Sequence, residues 1–169
     1  MQKTSTAGFT LLELLVIVVI VGSLAAIAAP GWVSFLTNQR TKAVRGEMLQ
    51  ILQTAQSDAQ RMNKSYVVGI NSTTGLAALT VGPSLSSGIE YTLGSGQSRS
   101  KIKLETSAAS VSFTHDGTLD TSASVPFAIS VVSEDGTASP QCVVVTTILG
   151  GLITAEGDNC TNPNYVPSP

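Results

Sequence analysis

One histidine, two cysteines and a thin scatter of acids are the groups in this sequence that could do chemistry. His115 stands in Thr114-His115-Asp116-Gly117. A nucleophilic triad would need it beside an activated serine, and no G-x-S-x-G elbow occurs. There is no H-E-x-x-H, no C-x-x-C and no phosphate-binding loop. His115 therefore reads as an exposed turn residue. No enzyme activity, cofactor or metal is expected. The turns Asp116–Asp120, Glu134-Asp135-Gly136 and Glu156-Gly157-Asp158-Asn159 carry oxygen ligands but match no EF-hand spacing, and read as solvated turns.

Cys142 and Cys160 lie close together, downstream of an apolar export segment. That arrangement reads as a disulfide formed in an oxidising compartment, against two free thiols or half of a metal site. Bridging them closes a loop of 19 residues, which in the chain-entropy model contributes roughly 3 kcal/mol. Arg99, Lys101 and Lys103 fall on one face of a strand, with Ile102 and Leu104 on the other. They are a candidate weak DNA contact, or charges that protect an edge strand from pairing. The edge reading is favoured, because beyond Met62 four basic residues face eight acidic ones.

The most demanding residue is Glu13. It is the one charge in a stretch of 21 residues from Phe9 to Ala29, about the length that crosses a hydrocarbon core. A carboxylate at mid-membrane costs about 2.5–3.5 kcal/mol on insertion scales, and less near a boundary. A secretory signal with a small-x-small site at Ala26-Ile27-Ala28, or an uncleaved anchor, gives no reason for that acid.

Gly8 followed by Phe9-Thr10-Leu11-Leu12-Glu13-Leu14-Leu15-Val16 resembles the class III signal of type IV pilins and type II secretion pseudopilins. The resemblance implies cutting between Gly8 and Phe9 by a membrane prepilin peptidase, which also methylates the new amino terminus on Phe9. It further implies that Glu13 serves subunit assembly, paired with the amino terminus of a neighbouring subunit. A buried carboxylate is tolerable when so paired.

These residues must be positioned by a small set of elements. The expected architecture is α+β and pilin-like: one long helix from about residue 9 to 62, its first half membrane-spanning, packed on an antiparallel β-sheet. At 1.5 Å per residue such a helix is about 80 Å long. Residues 1–8 form the leader peptide, 9–30 the transmembrane and assembly helix, and 31–62 its amphipathic continuation. Pro30-Gly31 should kink or locally melt the helix. Trp32 suits the membrane–water interface or packing under the head. Val44, Met48, Ile51/Leu52, Ala55, Ala59 and Met62 form one helical face. Residues 63–160 form a β-rich head, with strands near Tyr66–Ile70, Ala77–Val81, Ile89–Leu93, Lys101–Glu105, Val111–Thr114, Phe127–Val132, Cys142–Thr147 and Leu152–Thr154. Residues 161–169 form a Pro-rich tail.

Ala55-Gln56-Ser57-Asp58-Ala59, Val111-Ser112-Phe113 before Asp116-Gly117, Phe127-Ala128-Ile129, and Cys142-Val143-Val144-Val145 before Gly150 are similar to the GspH/FimT family of minor pilins and pseudopilins. The resemblance implies a subunit that initiates or caps a type IV pilus or type II secretion pseudopilus. Its implied partners are the prepilin peptidase, other pilin or pseudopilin subunits, an inner-membrane assembly platform and the lipid bilayer. The implied location is single-pass in the inner membrane, head in the periplasm, then in a filament. Some members bind DNA for transformation through an arginine-bearing C-terminal segment. Here the matching Gly150-Gly151-Leu152-Ile153-Thr154-Ala155-Glu156 has no arginine, so DNA is disfavoured. The alternative functions are a filament-tip DNA receptor and a bitopic enzyme or sensor.

Overall fold

The computed structural model describes residues 8–71, 77–94, 102–106, 108–120, 125–134 and 136–160, with the side chains of 28–30 excepted. The chain divides into two compact units, Met1–Leu36 and Thr37–Pro169. One helix, α1 (Leu11–Met62), contributes to both. Its helical backbone continues through Pro30 and Gly31, and the axis bends by 41° between Leu11–Ile27 and Gly31–Met62, so the helix kinks there without melting. It ends in a Schellman closure. Asn63 takes a left-handed φ of 51°, Lys64 N–H donates to Ala59 O at 3.1 Å and Asn63 N–H to Gln60 O at 3.3 Å. Asparagine tolerates that conformation and the two bonds satisfy terminal carbonyls.

In the second unit, Val44, Met48, Leu52, Ala55 and Ala59 are fully buried on one face of α1. Their three- and four-residue steps are the helical repeat. Each of the larger ones contributes about 1.5–3 kcal/mol by leaving water. Two details differ from the sequence pattern. Met62 is 51% exposed, because the helix stops there, and Thr41 joins the buried face. The Thr41 hydroxyl donates to Asn38 O at 3.0 Å, which is how a polar group is accommodated inside.

All eight expected strands form: β1 (Tyr66–Asn71), β2 (Ala78–Gly82), β3 (Ile89–Thr92), β4 (Ile102–Thr106), β5 (Ser110–Phe113), β6 (Phe127–Ser133), β7 (Gln141–Val145) and β8 (Leu152–Glu156). They divide between two four-stranded antiparallel sheets, ordered β3-β2-β1-β5 and β4-β6-β7-β8. Spacing alone had suggested one sheet. The sheets share a core with α1, in which Val68, Leu79, Val111 and Phe113 of the first meet Leu104, Phe127, Ile129, Val131, Val143 and Val145 of the second.

β6 alternates buried and half-buried residues, whereas β7 is buried at every position. The back of β7 is covered by a small cluster of Cys142, Val144, Ala155 and Cys160. A strand covered on both faces reads as a continuous apolar run. The sheets are also sewn together beyond β5. Leu119 bridges to Phe113, and its N–H donates to Ile148 O at 2.8 Å in the β7–β8 turn.

Candidate functional site

Gly8, Phe9 and Thr10 are exposed and lie in irregular backbone immediately before α1. Such exposed irregular backbone is where a protease gains access to a peptide bond. Thr10 then caps the helix. Its hydroxyl accepts from Glu13 N–H at 3.2 Å and its carbonyl accepts from Leu14 N–H at 3.2 Å. Thr10-Leu11-Leu12-Glu13 thus has the order of a capping box, which sequence reasoning missed although T-x-x-E before an apolar run is its signature. Glu13 lies in the first helical turn, where the helix dipole favours an acid. It therefore has a local role as well as any role between subunits.

From Leu11 to Ile27 the large apolar side chains are exposed on all sides of the helix. A helix apolar all round is covered by lipid or by other helices. Among the described residues no single helix is long and apolar enough to cross a membrane; Leu11–Ile27 and Gly31–Met62 taken together qualify by length and composition.

The head is fastened to the second half of α1 by polar side chains. Asn38 accepts from Ser139 N–H at 3.1 Å and Glu47 from Gly94 N–H at 2.9 Å. Gln56 donates to Gly117 O at 2.8 Å and Gly150 O at 3.2 Å, and Gln60 to Asp116 O at 3.0 Å. Arg45 donates to the buried Gln141 at 2.8 Å. Cys142 and Cys160 are joined in a disulfide with a Cα–Cα distance of 5.7 Å. It fixes the one-turn 3₁₀ helix Gly157–Cys160 to the back of β7.

Residues 3–29 match the family described as the prokaryotic N-terminal methylation motif, and the long helix on antiparallel sheets supplies the fold that goes with it. The N-terminal segment carries that family's motif. It is 44% identical over 41 residues to the type IV major alpha-pilin of Moraxella bovis, covering 24% of this chain and 26% of that one. The match thus spans about a quarter of the relative's length. In fold, the chain is similar to the type IV minor pilin FimU of Pseudomonas aeruginosa. One crystal form gives a TM-score of 0.55 at 14% identity, covering 72% of this chain and 92% of that one. A second gives 0.50 at 15% identity, covering 68% and 91%.

The remaining candidates lie elsewhere in the sequence. Arg99 and Lys101 lie outside the described residues, as does the tail 161–169. Lys103 is exposed on β4, an edge strand. Its ammonium lies 2.6 Å from Glu105, and that carboxylate raises the lysine pKa. A cation so neutralised is a poor phosphate ligand, and it suits an edge strand. His115 is exposed in its turn. Beside it, hydrogen bonds from the Thr114 and Thr118 hydroxyls lower the Asp116 pKa to about 2. Among the described residues no group of three or more His, Cys, Asp or Glu side chains is placed to hold a metal.

Proposed function

We propose that this chain is a minor pilin that is cut between Gly8 and Phe9, methylated on Phe9, held in the inner membrane by α1 and then drawn into a type IV pilus. Its role is to initiate or cap assembly, and it is a structural subunit, not a catalyst. The observation that carries this is the methylation-motif match over residues 3–29, which contains Gly8, Phe9 and Glu13. Cutting there leaves a free amine on an apolar helix start, four residues from Glu13. An amine of one subunit against Glu13 of its neighbour cancels two charges that are each costly in apolar surroundings. The partners on this reading are the prepilin peptidase, other pilins, the membrane assembly platform and the bilayer, with the head in the periplasm.

Within the superfamily we assign the chain to the GspH/FimT-type minor pilins. Support comes from the segment Ala55-Gln56-Ser57-Asp58-Ala59, whose Gln56 bonds two loop carbonyls. A pilus is favoured over a secretion pseudopilus because the proteins of similar fold are type IV minor pilins. Intact-mass analysis of membrane-extracted protein tests the proposal. It should find a chain starting at methylated Phe9; Met1 retained, or a start near Ala29, would end the pilin reading. Deleting the gene should reduce surface pili and twitching. Lost secretion with normal pili would move the chain to the pseudopilus.

A further inference from the structure

Two large apolar rings stand open in the first compact unit. Trp32 is 63% and Phe35 51% exposed. Their centroids are 5.9 Å apart with the planes tilted by 36°, within the range at which aromatic pairs attract. Positions i and i+3 share a helix face, and the exposed Leu36 widens it. After them the sequence turns polar, as Thr37-Asn38-Gln39-Arg40-Thr41-Lys42. Resting on the reading that α1 is stored in a bilayer, we infer that Trp32 and Phe35 form an interfacial anchor. Its partner is the carbonyl and glycerol layer of a phospholipid membrane, and it sets the depth at which the subunit waits.

Length argues for this partner. Leu11 to Trp32 covers about 32 Å along a helix at 1.5 Å per residue, against a hydrocarbon core about 30 Å thick. With the start of α1 at one boundary, Trp32 reaches the other. The chemistry agrees, since indole has an apolar body and a single N–H donor, which suits a layer where acyl chains meet ester carbonyls. Phe35 lies about 4.5 Å further out along the helix. The exposed apolar surface of Leu11–Ile27 thus resumes at Trp32 and Phe35 and stops where the polar residues begin.

Trp32 is the sole tryptophan, so emission from the full chain in phosphatidylcholine–phosphatidylglycerol vesicles reports this site alone. Emission should shift to the blue relative to the chain in urea. Quenching should be strongest by lipids brominated near the top of the acyl chain, and weaker by lipids brominated near its end or by aqueous iodide. Moving the probe with the double variant Trp32→Phe, Phe35→Trp should shift the strongest quenching about 4.5 Å towards water. Strong iodide quenching without lipid quenching would overturn the anchor, as would quenching by neither, which means protein covers the ring. Strongest quenching from the chain ends would place Trp32 too deep and also overturn it. A chain that fails to float with the vesicles would sink the bilayer reading of α1 along with the anchor.

Discussion

The Gln56 side chain donates to Gly117 O at 2.8 Å, and the same amide nitrogen reaches Gly150 O at 3.2 Å. Gly117 follows β5 of the first sheet, and Gly150 lies in the β7–β8 turn of the second. One glutamine on α1 therefore holds both sheets by their loops. Gly117 and Gly150 are both buried, so Gln56→Ala leaves two carbonyls without this donor. A buried unsatisfied acceptor costs about 1–3 kcal/mol. The urea midpoint of the detergent-solubilised chain should fall accordingly, and Gln56→Glu should fall further, since a carboxylate would face two carbonyl oxygens.

The two glycines should respond differently to alanine. At Gly117, the atoms nearest to a Cβ belong to the Gln60 side chain, which can swing away, although φ is +83°. At Gly150, with φ +79°, it would lie 2.4 Å from Gln56 Nε2 and 2.6 Å from the Gly117 carbonyl. Both positions carry left-handed strain, and only Gly150 adds a clash with backbone. Gly150→Ala should lower the melting temperature more than Gly117→Ala, and adding Gln56→Ala should not rescue it. Equal losses at the two sites would remove the clash argument.

The disulfide joins residues 18 apart in sequence. Loop entropy gives roughly 3 kcal/mol for a bridge of this span. Replacing Cys142 and Cys160 together by alanine should lower unfolding stability by about that amount, and reductant should reproduce the loss in the wild type but change nothing in the variant.

Asp116 titrates well below its ordinary value of 3.8, at about 2 in the fold. A lowered folded pKa means the ionised form is favoured by folding. Its contribution is complete above the ordinary value and is lost as pH falls from near 4 towards 2. Asp116→Asn should flatten the acid limb of a stability-versus-pH curve in that window and slightly lower the plateau above it. The residue is exposed, so solvent screening keeps the effect small.

Thr10 and Glu13 allow helix capping to be separated from subunit pairing. Thr10→Ala removes the cap at a cost of about 1 kcal/mol while keeping the acid. Glu13→Ala keeps the cap and removes the acid. Both should be processed at Gly8. Thr10→Ala should appear in sheared filaments and Glu13→Ala should not; equal failure would mean that the helix start alone explains both.

Much of the head was legible, because period-two runs and turn residues are local signals. All eight strands lie within a residue or two of expectation. Their partners were not legible. β1 pairs with both β2 and β5, and β4 leaves that sheet for β6. Pairing depends on contacts between distant segments, which alternation cannot encode. The buried stripe from Val44 to Ala59 was readable from its period. Met62 was misassigned because the period carries no mark for the turn that Asn63 imposes. The T-x-x-E cap is written in the sequence, but Glu13 stands out there first as a charge in an apolar run. Gln56, Gln60 and Gln141 gave no sequence signal, as exposed glutamines on a helix and buried anchoring ones look alike.

Most of the bonds that fasten the loops to α1 end on main-chain atoms: Ser139 N–H, Gly94 N–H, Asp116 O, Gly117 O and Gly150 O. Every residue type offers a carbonyl, and every one but proline offers an N–H. The loops can therefore exchange nearly all their side chains over evolutionary time while the docking survives, with only the left-handed glycines held fixed. A head fastened in this way can present many different outer surfaces on one frame, and its kinship fades from the letters long before it fades from the shape.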